Sequence, residues 1–297
     1  MRLDSVPDGR LCATRLTPLL RTDEGLSSKL GTQTCRLCNF FVSGARAYAE
    51  ETLRIPSFVD CHSHAVPSGD DGAQTIEEGV ALTRDAAEHG TGILFATPHV
   101  WPHLPLTVER EARIRRAYEE VRALASLDLR LGFELTPTEA LLDDDPTRYV
   151  LAGTSHVLVE VPFVGPVGVL VAVCEHVEAC GLTPLVAHPE RTEAVLGNTA
   201  LAADLAERGW PLQVNASSLS GWDGPEIQRL GWTLVEERHA SVVASDGHRT
   251  TRPARLDVVF AAVYERVGER AVALFDGSVL GLARSRPESS RAASPAS

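Results

Sequence analysis

Residues 58–72 read FVDCHSHAVPSGDDG. A short apolar run leads into a cluster of side chains that bind metal ions. Asp60, His62 and His64 occupy alternate positions, and on a β-strand residues i, i+2 and i+4 share one face. The spacing therefore sends two imidazoles and a carboxylate to one strand end, with Asp70 and Asp71 just beyond. Imidazole and carboxylate together suit zinc, manganese or iron. A site of this kind needs further ligands, which the rest of the chain must supply.

The chain downstream alternates strand and helix. Apolar runs at 56–62, 92–97, 129–134, 156–161, 183–187, 211–215 and 241–245 have the length and composition of strands buried on both faces. Thr75-Ile-Glu-Glu78 reads as a capping box that opens a helix reaching about His89 and closed by Gly90. Further helices are expected over 108–125, 167–180, 200–208, 225–238, 253–267 and 269–275. Seven such βα units in about 230 residues predict a parallel sheet closed into an α/β barrel.

On such a fold the chemistry sits where strands end. Ligand-type residues stand at those ends: His62, His64 and Asp71, then His99, Glu134, Glu160, His188 with Glu190 and Arg191, Asn215 with Ser217, and Asp246 with His248. Glu134 and Glu160 each close an apolar run, where a buried carboxylate is costly unless paired or metal-bound. Five histidines and four carboxylates exceed one tetrahedral zinc. They suit two or three ions that share carboxylates. His103, close behind His99, lines the cleft or is a surface-loop residue. His89, His176 and His239 fall on predicted helices, and His156 opens its strand at the wrong end. Cys61 lies between ligands in sequence but on the opposite strand face, where it packs.

Composition narrows the class. The apolar share is 44 % and the charged share 23 %, as in a soluble globular enzyme. A net charge of −12 argues against a nucleic-acid or anionic-membrane partner. The 6 cysteines are scattered, unlike a secreted disulfide framework, and Cys35-Arg-Leu-Cys38 has no second pair. No apolar run approaches the ~20 residues of a membrane span, and the N-terminus lacks a signal-peptide pattern. A cytoplasmic protein without membrane insertion is expected. Residues 1–54 have no clear period and read as a poorly ordered extension, with a short helix possible over Ala45–Leu53. Residues 284–297 read as a disordered tail. The folded domain is expected over 55–283.

DCHSHAVPSGDDGA, ATPHV, GFEL, LVEVPF, AHPERT, QVNASSLSG and SDGHRTTRP resemble the successive motifs of the PHP (polymerase and histidinol phosphatase) superfamily. They are most similar to its capsule-locus tyrosine phosphatases of the CpsB/CapC type, over roughly 55–282. The resemblance implies a distorted (βα)7 barrel and two or three divalent ions, manganese first, with iron, cobalt or zinc as alternatives. It implies the ligand set His62, His64, Asp71, His99, Glu134, Glu160, His188, Asp246 and His248. It implies phosphomonoester hydrolysis by metal-activated water, with Arg191 on the substrate phosphate. Arg252 matches a second family arginine, in a loop about one residue shorter than usual. His248 is a candidate proton source for the leaving group. A phosphotyrosine protein is the implied substrate, and a bacterial tyrosine kinase of polysaccharide export the implied partner.

No Cys-x5-Arg signature is present, so a cysteine phosphoenzyme is not expected. Three alternatives stand beside this reading. One is a small-molecule phosphoesterase such as a histidinol-phosphate phosphatase. Another is an amidohydrolase-like enzyme, disfavoured because the sole lysine is Lys29 in the extension. The third is a non-catalytic metal-binding module.

Overall fold

The structure, a computed structural model, describes residues 57–165, 167–249 and 251–282. The N-terminal extension, the Cys35–Cys38 pair and the C-terminal tail lie outside the described residues. Nine strands are present among the described residues: β1 Phe58–Ser63, β2 Thr91–Ala96, β3 His99–Val100, β4 Asp128–Leu131, β5 Glu134–Leu135, β6 His156–Glu160, β7 Thr183–Ala187, β8 Leu212–Asn215 and β9 Ala240–Ala244. All pair in parallel, in a three-stranded sheet of order β1-β2-β4 and a six-stranded sheet of order β3-β5-β6-β7-β8-β9.

Nine strands replace the seven expected because two of the apolar runs break. After β2 the chain meets Pro98, which has no amide hydrogen for a ladder, and resumes as β3. After β4 it bends at Gly132, where an added Cβ would lie 2.4 Å from Leu151 Cδ2. The breaks move both runs from the first sheet to the second. The sheets stay stitched across the bend, with Gly132 N donating to Ala96 O (2.9 Å) and Glu134 N to Pro98 O (3.2 Å). At the other edge an isolated parallel bridge, Ser63 with Gly247, joins β1 to the segment after β9. There Asp246 N donates to His62 O (2.9 Å) and His64 N to Gly247 O (2.6 Å).

Helices cover one face of the strands. The longer ones are α1 Ile76–Glu88, α2 Val108–Leu124, α3 Gly168–Ala179, α5 Ala200–Glu207, α7 Pro225–Glu236 and α8 Asp257–Val267. The short α4 Glu193–Gly197, α6 Ala216–Ser220 and α9 Arg270–Phe275 complete the set among the described residues. The α1 cap is only half the expected box. Thr75 Oγ accepts from Glu78 N (3.2 Å), but Glu78 Oε2 accepts from Gln74 N (2.7 Å) instead of the Thr75 amide. The last long helix starts at Asp257 rather than Pro253, since Arg252 is held in a bridge to Arg249 just before it.

Two apolar cores result. The large one packs every long helix against the strands, with Phe58 edge-on to Phe260 (5.5 Å between centroids). The small one comes almost wholly from strands: Val59, Cys61, Phe95, Leu158, Leu185 and Val242, closed by residues such as Leu280. Cys61 is fully buried in it, as packing requires, and burial pushes its thiol pKa up. None of the helices is long and apolar enough to cross a membrane, among the described residues. Truncating Phe95, fully buried in the small core, to alanine is expected to cost about 3–5 kcal/mol. Urea unfolding of the Phe95→Ala protein measures it.

Candidate functional site

The site is built where β1, β6, β7 and β9 end and where β3 and β5 begin. The β1–β2 register slips between Asp60 and Ser63, and the slip re-aims the end of β1. His62 and His64 bring their Nε2 atoms within 3.2 Å of each other. Asp60 does not join them. It is fully buried and accepts from the Ser245 amide (3.0 Å) and the His62 amide (3.3 Å), tying β1 to the end of β9. Burial pushes its pKa up to about 6. Asp70, also behind the site, accepts from the His99 and Gly72 amides (both 3.0 Å) and faces His64 Nδ1 at 3.5 Å.

A chain of buried amides sets the tautomer of His62. The Asp246 carboxylate can only accept, so Asn215 donates its amide nitrogen to Oδ2 (2.8 Å). The Asn215 oxygen then accepts from Gln213 Nε2 (2.7 Å), which turns the Gln213 oxygen to His62 Nδ1 (3.0 Å). His62 thus carries its proton on Nδ1 and offers a lone pair at Nε2. His248 is fixed in the same way, its Nδ1 donating to the Asp246 carbonyl (2.8 Å).

All nine expected ligands come together. Donor atoms lie within 4.8 Å of one another in four overlapping groups: His64, Asp71, His99 and His248; His62, His64 and Asp246; His62, Glu134 and His188; His99, Glu134 and Glu160. Glu134 Oε2 is 2.9 Å from His99 Nδ1, 3.1 Å from His62 Nε2 and 3.3 Å from His64 Nε2. Yet it makes a hydrogen bond with none of them, and Glu160 Oε2, His99 Nδ1 and His188 Nδ1 are likewise buried without a partner. These atoms converge on shared space rather than pair with each other. Orphaned buried donors of mixed nitrogen and oxygen type fit bound divalent cations.

The electrostatics agree. Burial alone would raise Glu134, but the charge that His62 and its neighbours carry when protonated outweighs it and holds the carboxyl well below its usual range, a charge that a cation bound by the neutral imidazoles would supply in their place. Burial, with the Glu134 charge added, pushes Glu160 up to about 8. The backbone is also forced. His188 and Asp246 have φ of 33° and 52°, two of the three described non-glycine residues with left-handed φ. Such positions cost about 1–3 kcal/mol each and gather at functional sites.

A cleft of about 390 Å³ opens above these donors. Arg191 and Arg252 line it, and both donate to Asp246 Oδ2, Arg191 at 2.9 Å. Arg252 therefore reaches the site despite its short loop. His103 lines the rim, stacked on Trp101, which stacks on His99. Phe163 faces the cleft, parallel to the His188 ring and beneath the Arg191 guanidinium. Glu190 and Ser217 stay outside the donor groups. Glu190 instead accepts from the Asn215 amide (2.9 Å).

Several contributors carried no signal in the sequence. Gln213 looked like a strand residue. Arg110 looked like one more arginine on a charged helix. It is buried and donates to Ser68, Leu104 and His99 carbonyls at 3.2, 2.8 and 2.9 Å, fixing the two loops behind His99. Trp101 and Phe163 sit in loops without period.

The profile of the family described as "Capsular polysaccharide synthesis, CpsB/CapC" matches residues 58–275. The chain belongs to the CpsB/CapC family. It is 29 % identical over 196 residues to the tyrosine-protein phosphatase YwqE of Bacillus subtilis strain 168, spanning 64 % of this chain and 77 % of that protein. It is 26 % identical over 230 residues to the tyrosine-protein phosphatase CpsB of Streptococcus agalactiae serotype V, spanning 73 % and 94 %. A solved structure described among those of YwqE from Bacillus subtilis and CpsB from Streptococcus pneumoniae, metal-dependent tyrosine phosphatases, superposes with a TM-score of 0.67 at 24 % identity. It covers 75 % of this chain and 93 % of the other. The CpsB/CapC segment contains every residue of the four donor groups.

The amide chain behind His62 predicts a measurable effect. Gln213→Leu keeps the volume and removes the acceptor, so divalent-cation affinity in a calorimetric titration should fall about 10–100-fold. Unchanged affinity would remove Gln213 from the site's support.

Proposed function

We propose that this chain is a metal-dependent phosphomonoester hydrolase that dephosphorylates phosphotyrosine in a protein of capsule or exopolysaccharide assembly. The observation that carries it is the meeting of orphaned metal-type donors with two arginines in one cleft. Membership of the CpsB/CapC family supports it, as do relatives named tyrosine-protein phosphatases.

His62, His64, Asp71, His99, Glu134, Glu160, His188, Asp246 and His248 would hold two or three divalent ions, manganese first, with iron, cobalt or zinc as alternatives. Bound ions would screen the phosphate charge and lower the pKa of water toward neutrality. The chain's own residues do the rest. Arg191 and Arg252 supply forked donors to the non-bridging phosphoryl oxygens and to the charge that grows on them. Asp246 Oδ2 preorganises both arginines at the cleft. Its Oδ1 lies 3.4 Å from both His62 and His64 Nε2. His248, with its proton on Nδ1, presents a lone pair at Nε2 and so acts as a ligand. A tyrosyl oxygen, with a pKa near 10, leaves with little help, and water supplies its proton. Trp101 and Phe163 give the cleft the aromatic walls that a phenyl ring fits.

The two parallel sheets read as one distorted (βα)7 barrel, broken strands included. The Ser63–Gly247 bridge and the small core drawn mainly from strands support that closure. The catalytic unit is 55–283. The free Cys61, Cys174 and Cys180 suit a reducing cytoplasm. The kinase of the same assembly machinery is the natural partner.

Purified protein with manganese should hydrolyse p-nitrophenyl phosphate and phosphotyrosyl peptide, and EDTA should abolish both activities. Full turnover in chelator would end the metal reading. A histidinol-phosphate kcat/KM above that for the peptide would favour the small-molecule alternative. Arg191→Ala should lower kcat by about 10²–10³ while metal content by atomic emission stays level. His188→Ala should lower both.

A further inference from the structure

A second cleft of about 310 Å³ adjoins the first. Arg252 lines both. One of its guanidinium nitrogens is on Asp246, and its buried Nε finds no hydrogen-bond partner among the described residues. Beyond Arg252 the second cleft is floored by the buried Ala216 and Ser245 and rimmed by the exposed Trp222, Pro253 and Val258. Trp222 is 74 % exposed and Val258 is 56 % exposed. Exposed apolar side chains gathered in one cleft form the kind of surface patch that marks an interaction site.

The turn that carries Trp222 is pinned. Gly221 takes φ of 88° to end α6, and Trp222 N donates to Ser217 O (3.0 Å). Asp223 accepts from the Ser217 and Ser218 hydroxyls at 2.7 and 3.1 Å, and Gly224 N donates to Gly221 O (3.2 Å). The indole is thus held out in water by a fixed turn, which lowers the entropy lost when it packs on a ligand. Nearby charge is neutralised within the fold. Arg255 is bound in a fork by Asp257, at 2.6 and 2.7 Å. The free character of the groove is therefore apolar, with Ser217 and Ser220 hydroxyls at its edge.

On the phosphatase reading above, we propose that this groove is a subsite for the polypeptide flanking the phosphotyrosine, and that it takes an apolar or aromatic side chain of that segment. The phosphoryl group enters the first cleft on Arg191 and Arg252. The substrate backbone crosses Arg252, and a neighbouring side chain lies against Trp222 and Val258. Continuity through Arg252 selects this occupant, since a ligand clamped there extends directly into the groove. The subsite distinguishes a protein from a free aryl phosphate, because a small ester fills only the first cleft.

The test uses the full chain with manganese, Trp222→Ala and Val258→Ser. These residues are exposed, so neither substitution removes core. For a phosphotyrosyl peptide with leucine beside the phosphotyrosine, kcat/KM should fall about tenfold or more in Trp222→Ala. For p-nitrophenyl phosphate it should not change, and replacing the flanking leucine by glycine in the peptide should erase the difference between parent and variant. Calorimetry with the matching non-hydrolysable phosphonate peptide reads the groove without turnover and should show the same loss. Equal losses on both esters, or no loss of peptide binding, would overturn the subsite. A variant that sediments as a smaller species would also overturn it, by showing that a second copy of the chain covers the groove. An inactive parent that still binds the phosphonate peptide through Trp222 would instead sink the phosphatase reading and keep the groove.

Discussion

The whole site depends on two buried carboxylates, Glu134 and Asp246. Taking a carboxylate out of water costs several kcal/mol unless other charges or hydrogen bonds replace the solvent. Glu134 is fully buried and Asp246 nearly so. Both stay ionised because imidazoles surround them, with two guanidiniums added around Asp246. Each oxygen has its own task. Asp246 turns Oδ2 outward to Arg191, Arg252 and Asn215, and Oδ1 inward to the histidines. One carboxylate thereby couples the expected metal side of the cleft to the expected phosphate side.

Local structure serves that coupling. The slip in β1, the breaks at Pro98 and Gly132 and the bridge from Ser63 to Gly247 depart from a regular sheet, and each lies beside a donor residue. Arg110, from the first turn of α2, holds the carbonyls of Ser68, His99 and Leu104. Regular strands supply the frame, and the irregular ends supply the aim.

Much of this was legible in the sequence because burial leaves a mark. Apolar runs of strand length announced the parallel sheets, and a carboxylate at the end of such a run, as at Glu134, announced a partner. The expected ligands converge for that reason. What was not legible depends on distance in space. Alternation puts Asp60 on the same face as His62 and His64, and the ligand set leaves it behind them as an orienting residue; nothing in its spacing said that it would grip Ser245 across the sheet edge. Gln213 alternates like any strand residue, and only the polarity of its neighbours Asn215 and His62 gives it a task. The two sheets were hidden because a Pro or a Gly inside an apolar run reads the same whether the strand bends or simply ends. The reach of Arg252 depends on the fold of a tight loop, which length alone does not fix.

The left-handed backbone at His188 and Asp246 sets protein stability against function. Glycine at either position would relax the chain, and it would also relieve the crowding of donors that the fold must otherwise hold apart. Selection for heat tolerance alone would therefore drift toward sequences that keep the fold and lose the cleft's chemistry. A relative with glycine at these two strand ends would keep the architecture and two of the four donor groups, and would lose the two that His188 and Asp246 complete.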